Sequence, residues 1–170
     1  MKKVLQFSGI ISLVLVVVAF ILMMATNAAM QVSGSLQVNY AGTTAIFGHA
    51  SEGLLDPEIK LAPLALIAWI LIIVGMIIVA LGIILPLFKV TALQKFAGLL
   101  NLIAVCALVV AGVLLFFTQP VFNQANKTSL GTLYDDYKLS FAFVMAAILA
   151  IAGGVIAILP AAMDFIGKKK

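Results

Sequence analysis

Leu61 to Leu87, "LAPLALIAWILIIVGMIIVALGIILPL", runs for 27 residues without one charged side chain. Roughly 18 to 20 apolar residues wound as a helix cross the hydrocarbon core of a bilayer. A transmembrane barrel strand would instead alternate apolar and polar residues in units of about 10, and this stretch does not alternate. Inside lipid each backbone N–H and C=O has to be paired within its own segment, so the stretch is expected to be a membrane-spanning helix. Three further windows read the same way: Phe7 to Ala25, Phe96 to Phe117 and Leu139 to Met163.

The composition fits no other solvent. The chain of 170 residues is 65% hydrophobic and 9% charged, where a soluble domain carries roughly a quarter charged residues. The first window begins like a signal peptide, with Lys2-Lys3 before it and "ATNAA" at its end. Its apolar core of 19 residues exceeds the roughly 7–15 of a secretory leader, so it is read as a retained helix. Four spans leave two long loops, 26–60 and 118–138, on one side and a short link between spans two and three on the other.

Orientation is read from lysines, since all ten basic residues are lysine. Seven (Lys2, Lys3, Lys89, Lys95, Lys168, Lys169 and Lys170) fall at the termini and the short link, against Lys60, Lys127 and Lys138 in the long loops. The positive-inside rule then places both termini in the cytoplasm and the long loops outside. Without arginine the chain lacks the guanidinium fork used for bidentate phosphate recognition. Nucleic acid is not expected as a partner.

The first long loop contains "QVSGSLQVNYAGTTAIFG", Gln31 to Gly48. Val32, Gly34, Leu36, Val38 and Tyr40 alternate with Ser33, Ser35, Gln37 and Asn39, the period of a half-buried strand. Ala41-Gly42 is a plausible turn, and Thr43 to Phe47 is rich in strand formers. The expectation is a β-hairpin capping the helices between spans one and two. A further strand is expected around Thr128 to Tyr134.

Four helices, both ends inside, strands in the first outer loop and a shorter second one: this layout resembles the claudin-type tetraspan plan. The loop has no Trp and no Cys, so the signature that accompanies that plan is missing and barrier or pore function is not implied. The layout and the lysine-only charges also resemble small four-helix membrane proteins of Gram-positive bacteria.

Small residues mark where helices approach closely in lipid. Span four has Ala142, Ala146, Ala150 and Gly154 at four-residue steps; span two has Gly75 and Gly82; span three offers Asn101 as an interhelical tie. Packing within the bundle is the expected use of the stripe, and a dimer contact the other. Spans two and four each end in a late proline, Pro86 and Pro160, a faint echo of duplication.

Chemistry is sparse. No Asp, Glu, Lys, Arg or His lies inside a span, which argues against proton-coupled transport. His49, Glu52, Asp56 and Glu58 are the nearest thing to a metal-ligand set, but lack metallopeptidase spacing, and a solvated acidic loop is the expected reading. No nucleophile has a base beside it, so no enzyme activity, cofactor or metal is expected. Asn126-Lys127-Thr128 is a glycosylation sequon.

The expectation is thus an all-α integral membrane protein, a four-transmembrane-helix bundle with a small extracytoplasmic β-hairpin cap. Its partners would be the lipid bilayer and either another membrane protein or a second copy. The recognition surface would be Val32, Leu36, Val38, Tyr40, Ile46 and Phe47, with Tyr134, Asp135 and Asp136 of the second loop. The alternative is a small channel-like oligomer or transporter subunit for a neutral or lipidic solute. A pore needs polar rings, and away from the outer end of span four, where Ser140 lies, the spans offer only Ser8, Ser12 and Asn101.

Overall fold

The computed structural model describes residues 2–25, 30–34, 38–50, 58–87, 97–126 and 134–167. Four long helices dominate: α1 (Lys2–Ala25), α3 (Pro63–Leu87), α4 (Ala97–Phe116) and α6 (Phe141–Gly167). Among the described residues of the loops are two short helices, α2 (Gly42–Phe47) and α5 (Thr118–Asn126), and three strands, β1 (Met30–Gly34), β2 (Val38–Tyr40) and β3 (Tyr134–Leu139). Each long helix holds a window apolar and long enough to cross a membrane: Phe7–Met24, Pro63–Leu85, Gly98–Phe116 and Phe141–Leu159. The chain has the layout of a multi-pass membrane protein.

Helix boundaries follow local chemistry. Pro63 opens α3, where its missing N–H is an orphan anyway, and the Ala62 carbonyl accepts from Leu66 N–H at 3.0 Å. The Ser140 carbonyl accepts from Val144 N–H at 3.2 Å where α6 begins, while its buried hydroxyl makes no hydrogen bond and so does not cap the helix. Pro120 sits in the first turn of α5, where proline is tolerated. Pro86 falls one residue before the end of α3, whereas α6 runs on past Pro160 to Gly167.

The long helices close into a ring in which α1 adjoins α6, α6 adjoins α4, α4 adjoins α3 and α3 adjoins α1. Glycines set the closest approaches. A Cβ on Gly112 would meet the Ala147 carbonyl oxygen at 2.7 Å, and one on Gly75 would meet Leu108 at 2.6 Å. On α6, Gly153 faces Ser12 and Val16 of α1, while Gly154 faces Val105, Leu108 and Val109 of α4. Ala150 lies one turn before both glycines and Ala146 one turn earlier, so the stripe points to the middle of the bundle. Ala142, Ala146 and Ala150 are all buried. The stripe is buried within the single chain, as expected for packing inside the bundle. Bulky aliphatic side chains such as Ile10, Val14, Ile70, Ile77, Val110 and Val155 face outward.

The expected hairpin of Val32–Tyr40 against Thr43–Phe47 is not formed. Residues 42–47 are helix α2. Ala45 and Ile46 are adjacent and both fully buried, which a strand with one buried face does not allow, because neighbouring side chains point to opposite faces. The segment expected to be one strand is two strands, β1 and β2, paired antiparallel with Val32 opposite Val38. The sheet order is β2-β1-β3, all antiparallel. The second loop does carry a strand, but β3 runs over Tyr134–Leu139 and shares only Tyr134 with the range expected, Thr128 to Tyr134, the rest of which lies outside the described residues. Leu36, Thr128, Glu52 and Asp56 lie outside the described residues.

Gly48 ends α2 at φ 80°, and its N–H donates to the Thr44 carbonyl at 2.9 Å. A Cβ there would meet the Ile59 carbonyl oxygen at 2.8 Å. Gly48→Ala combines an unfavourable left-handed φ with that clash and is expected to cost about 1–3 kcal/mol. Thermal unfolding in detergent checks this, and an unchanged midpoint would contradict it.

Candidate functional site

Among the described residues, the elements outside the spans gather at the end where α1 and α4 finish and α3 and α6 begin. Helix α2 wedges there between α1 and α3. A Cβ on Gly42 would overlap the Met23 carbonyl of α1, and the Ala45 carbonyl accepts from Ala62 N–H at 3.0 Å at the root of α3. Phe47 leaves the wedge and meets the Trp69 ring edge-on, centroids 5.3 Å apart; Phe20 stacks on Trp69 at 6.4 Å. The chain then closes a loop by a two-way bridge: His49 N–H donates to the Ile59 carbonyl at 2.7 Å, and Ile59 N–H donates back at 2.8 Å.

Asn126 joins the two long loops. Its Oδ1 accepts from Lys60 N–H at 2.7 Å, and its Nδ2 donates to the Phe122 carbonyl at 2.9 Å and the Lys60 carbonyl at 3.3 Å. The residue is fully buried. All three polar contacts use the amide in the orientation that matches donor to acceptor. At the other end of α5, Gln119 Oε1 accepts from Leu139 N–H at 3.3 Å, and Thr118 Oγ1 donates to the Leu114 carbonyl at 3.0 Å. Helix α5 is thus pinned at both ends. The sequence marks Asn126 only as a sequon; its side chain is instead a structural tie, with no room for a glycan in the folded chain.

The expected recognition residues divide. Tyr40 is half-buried against the core and Phe47 is half-exposed; Ile46 is fully buried and presents nothing to a partner. Val32 lies on β1 and Val38 on β2, where they pair. Tyr134, Asp135 and Asp136 lie on β3, and one extra β3 residue stands between the Val32–Tyr137 and Gly34–Tyr134 pairs. The sheet has a three-residue edge in β2 and an irregular edge in β3. Short and bulged edges resist strand addition.

Inside the bundle, Ser12 Oγ donates to the Gly153 carbonyl at 2.7 Å. A Cβ on Gly82 would sit 2.9 Å from Asn101 Oδ1, so α3 and α4 meet at that residue. Ser8 and Asn101 are also buried. Cys106 is exposed on the outer face of α4. Of the histidine-carboxylate set, His49 and Glu58 are exposed, and no three His, Cys, Asp or Glu side chains converge among the described residues. Sequence reading missed α5 and its ties, because polar "TQPVFNQAN" has no apolar stripe; only Phe122, fully buried, hints at a packed element.

No known protein family matches the chain, and no curated protein is significantly similar to it.

Proposed function

We propose that this is a non-enzymatic membrane protein that acts through protein–protein contacts, with the end bearing α2, α5 and the sheet as its working surface. The observation that carries the reading is the contrast between the two parts of the molecule. The interior is filled by direct helix contact, with Gly112 against Ala147 and Ile151 and Gly153 against Val16, and its polar Ser12 is spent on the Gly153 carbonyl. Outside the spans, by contrast, both loops are built, cross-tied by Asn126 and β-paired to one another. A chain that needed only to fill a membrane has no use for such a cap. The polar lining that a pore requires has little support here, which weighs against the channel alternative.

The lysine asymmetry supports a cell-membrane protein with cytoplasmic termini and an extracytoplasmic cap. The claudin-type plan and the likeness to small Gram-positive proteins enter as layout only. Contact through the sheet face, with Val32 and Val38 on its strands and Asp135-Asp136 on β3, fits better than strand addition, given the short and bulged edges.

Native mass analysis of the protein extracted from its own membrane in mild detergent tests this. A complex with a different protein, or a stable homo-oligomer lost when Asp135 and Asp136 are changed to Lys, is the expected result. A monomer alone, combined with solute flux in liposomes, would overturn it in favour of transport.

A further inference from the structure

We infer that α5 is an interfacial helix, lying flat in the headgroup layer of one leaflet across the end of the bundle. Its two ties fix its direction. Near its start, Gln119 holds the backbone of Leu139, two residues before α6 begins. At its end, Asn126 holds the backbone of Lys60, three residues before α3 begins. Both roots lie at the level where spans begin, and α4, which adjoins α3 and α6, runs into α5 after the single residue Phe117. A helix tied at both ends to that level runs along it and does not rise from it. Phe122 points inward and is fully buried, so α5 also shuts the bundle interior over α4.

The surface around it is the surface lipid takes. Phe117, just past the end of α4, is 59% exposed, and Phe141, the first residue of α6, is 74% exposed. Aromatic rings with an exposed apolar body sit favourably at the boundary between acyl chains and headgroups. Lys138 is exposed three residues before α6 begins, where an interfacial α5 would set it at the height of lipid phosphate. The cap is therefore seated in the headgroup layer, and a protein reaching its sheet does so within or just above that layer.

Spin labels decide it. Cysteine is introduced at Pro120 or at Gln124, both exposed, in a Cys106→Ala background, and the protein is reconstituted in phosphatidylcholine vesicles. Accessibility to oxygen and to a water-soluble nickel chelate gives the depth of each label. Both labels are expected at one depth, near the phosphates. An upright α5 would separate them by about 6 Å along the normal, at 1.5 Å per residue, with the label at 124 fully in water, and that result overturns the inference. A second measurement uses the unaltered protein. Its single tryptophan, Trp69, lies six residues into α3, about 9 Å below the α3 root. Lipid brominated at shallow acyl positions should quench it more than lipid brominated deep. Strongest quenching from deep bromines, or none, puts the membrane plane elsewhere and overturns the inference as well. Neither readout depends on a protein partner, so its failure is separate from failure of the contact function.

Discussion

Changing Ala146 and Ala150 together to Leu is expected to lower the unfolding midpoint in detergent sharply, or to prevent recovery of folded protein. Both positions are fully buried and face the bundle axis, one and two turns before the Gly153–Gly154 pair that touches α1 on one side and α4 on the other. Each Leu adds three carbon atoms where the neighbouring helices leave no space. Overpacking of this kind costs about 1–3 kcal/mol per site. The two sites share a wall, so the double change will not be a simple sum. The close approach matters more in lipid than in water. Lipid tails solvate an apolar side chain as well as another helix does, so association rests on tight packing. Ile148 is on the same helix but 47% exposed; Ile148→Leu is expected to leave the midpoint unchanged. Equal midpoints for the double variant and the wild type would show that the stripe is not inside the bundle.

The spans were legible in the sequence because one physical condition dictates them. A segment that sits in hydrocarbon must be apolar throughout and helical throughout, and both properties are visible in a single window. The expected spans 61–87 and 96–117 differ from α3 and α4 by no more than two residues at either end. At the chain's ends the helices extend further, α1 starting at Lys2 and α6 running to Gly167. Apolarity stops at the membrane surface, whereas backbone hydrogen bonding does not. The packing direction of the span-four stripe was less legible. Small residues say that something comes close, and only the positions of Ser12 and Val105 say what.

The cap was legible only in its outline, because at this end local pattern and tertiary contact disagree. "TTAIF" has strand propensity, but its surroundings require two adjacent buried residues, Ala45 and Ile46, and one turn of helix provides both. Val32 to Tyr40 alternates well enough for one strand, yet Gly34 lies within it, and the chain folds back on itself so that Met30 pairs with Tyr40. Helix α5 had no visible signal, since its buried face of Thr118, Phe122 and Asn126 is two-thirds polar. Its stability comes from ties to Lys60 and Leu139, which are far away in sequence, and no local window can contain them.

Asn126 therefore carries the second large expectation. Asn126→Ala removes an acceptor from Lys60 N–H and a donor from two carbonyls, Phe122 and Lys60. Leaving the partly buried Lys60 N–H unpaired costs about 1 kcal/mol, the low end of the range for an unsatisfied donor, and the loss should free the end of α5 from the root of α3. Asn126→Asp is the more telling change. It retains an oxygen for Lys60 N–H but turns the donor into a second oxygen facing two carbonyls. Burial and those carbonyls both disfavour the carboxylate, so the folded-state pKa of the new Asp rises above the roughly 3.9 of an unfolded chain. A proton on that oxygen restores the donor. Below the unfolded pKa the variant is protonated in both states and its stability approaches that of the wild type. As pH rises through the interval between the two pKa values the stability falls, and above the folded pKa the penalty is complete. Unfolding midpoints measured from pH 4 to pH 8, each taken relative to wild type at the same pH, should thus be close at pH 4 and lowest at pH 8, where Asp is at least as destabilising as Ala. A constant difference across that range would mean that the Asn126 side chain is solvated and that the two loops are held together by other contacts.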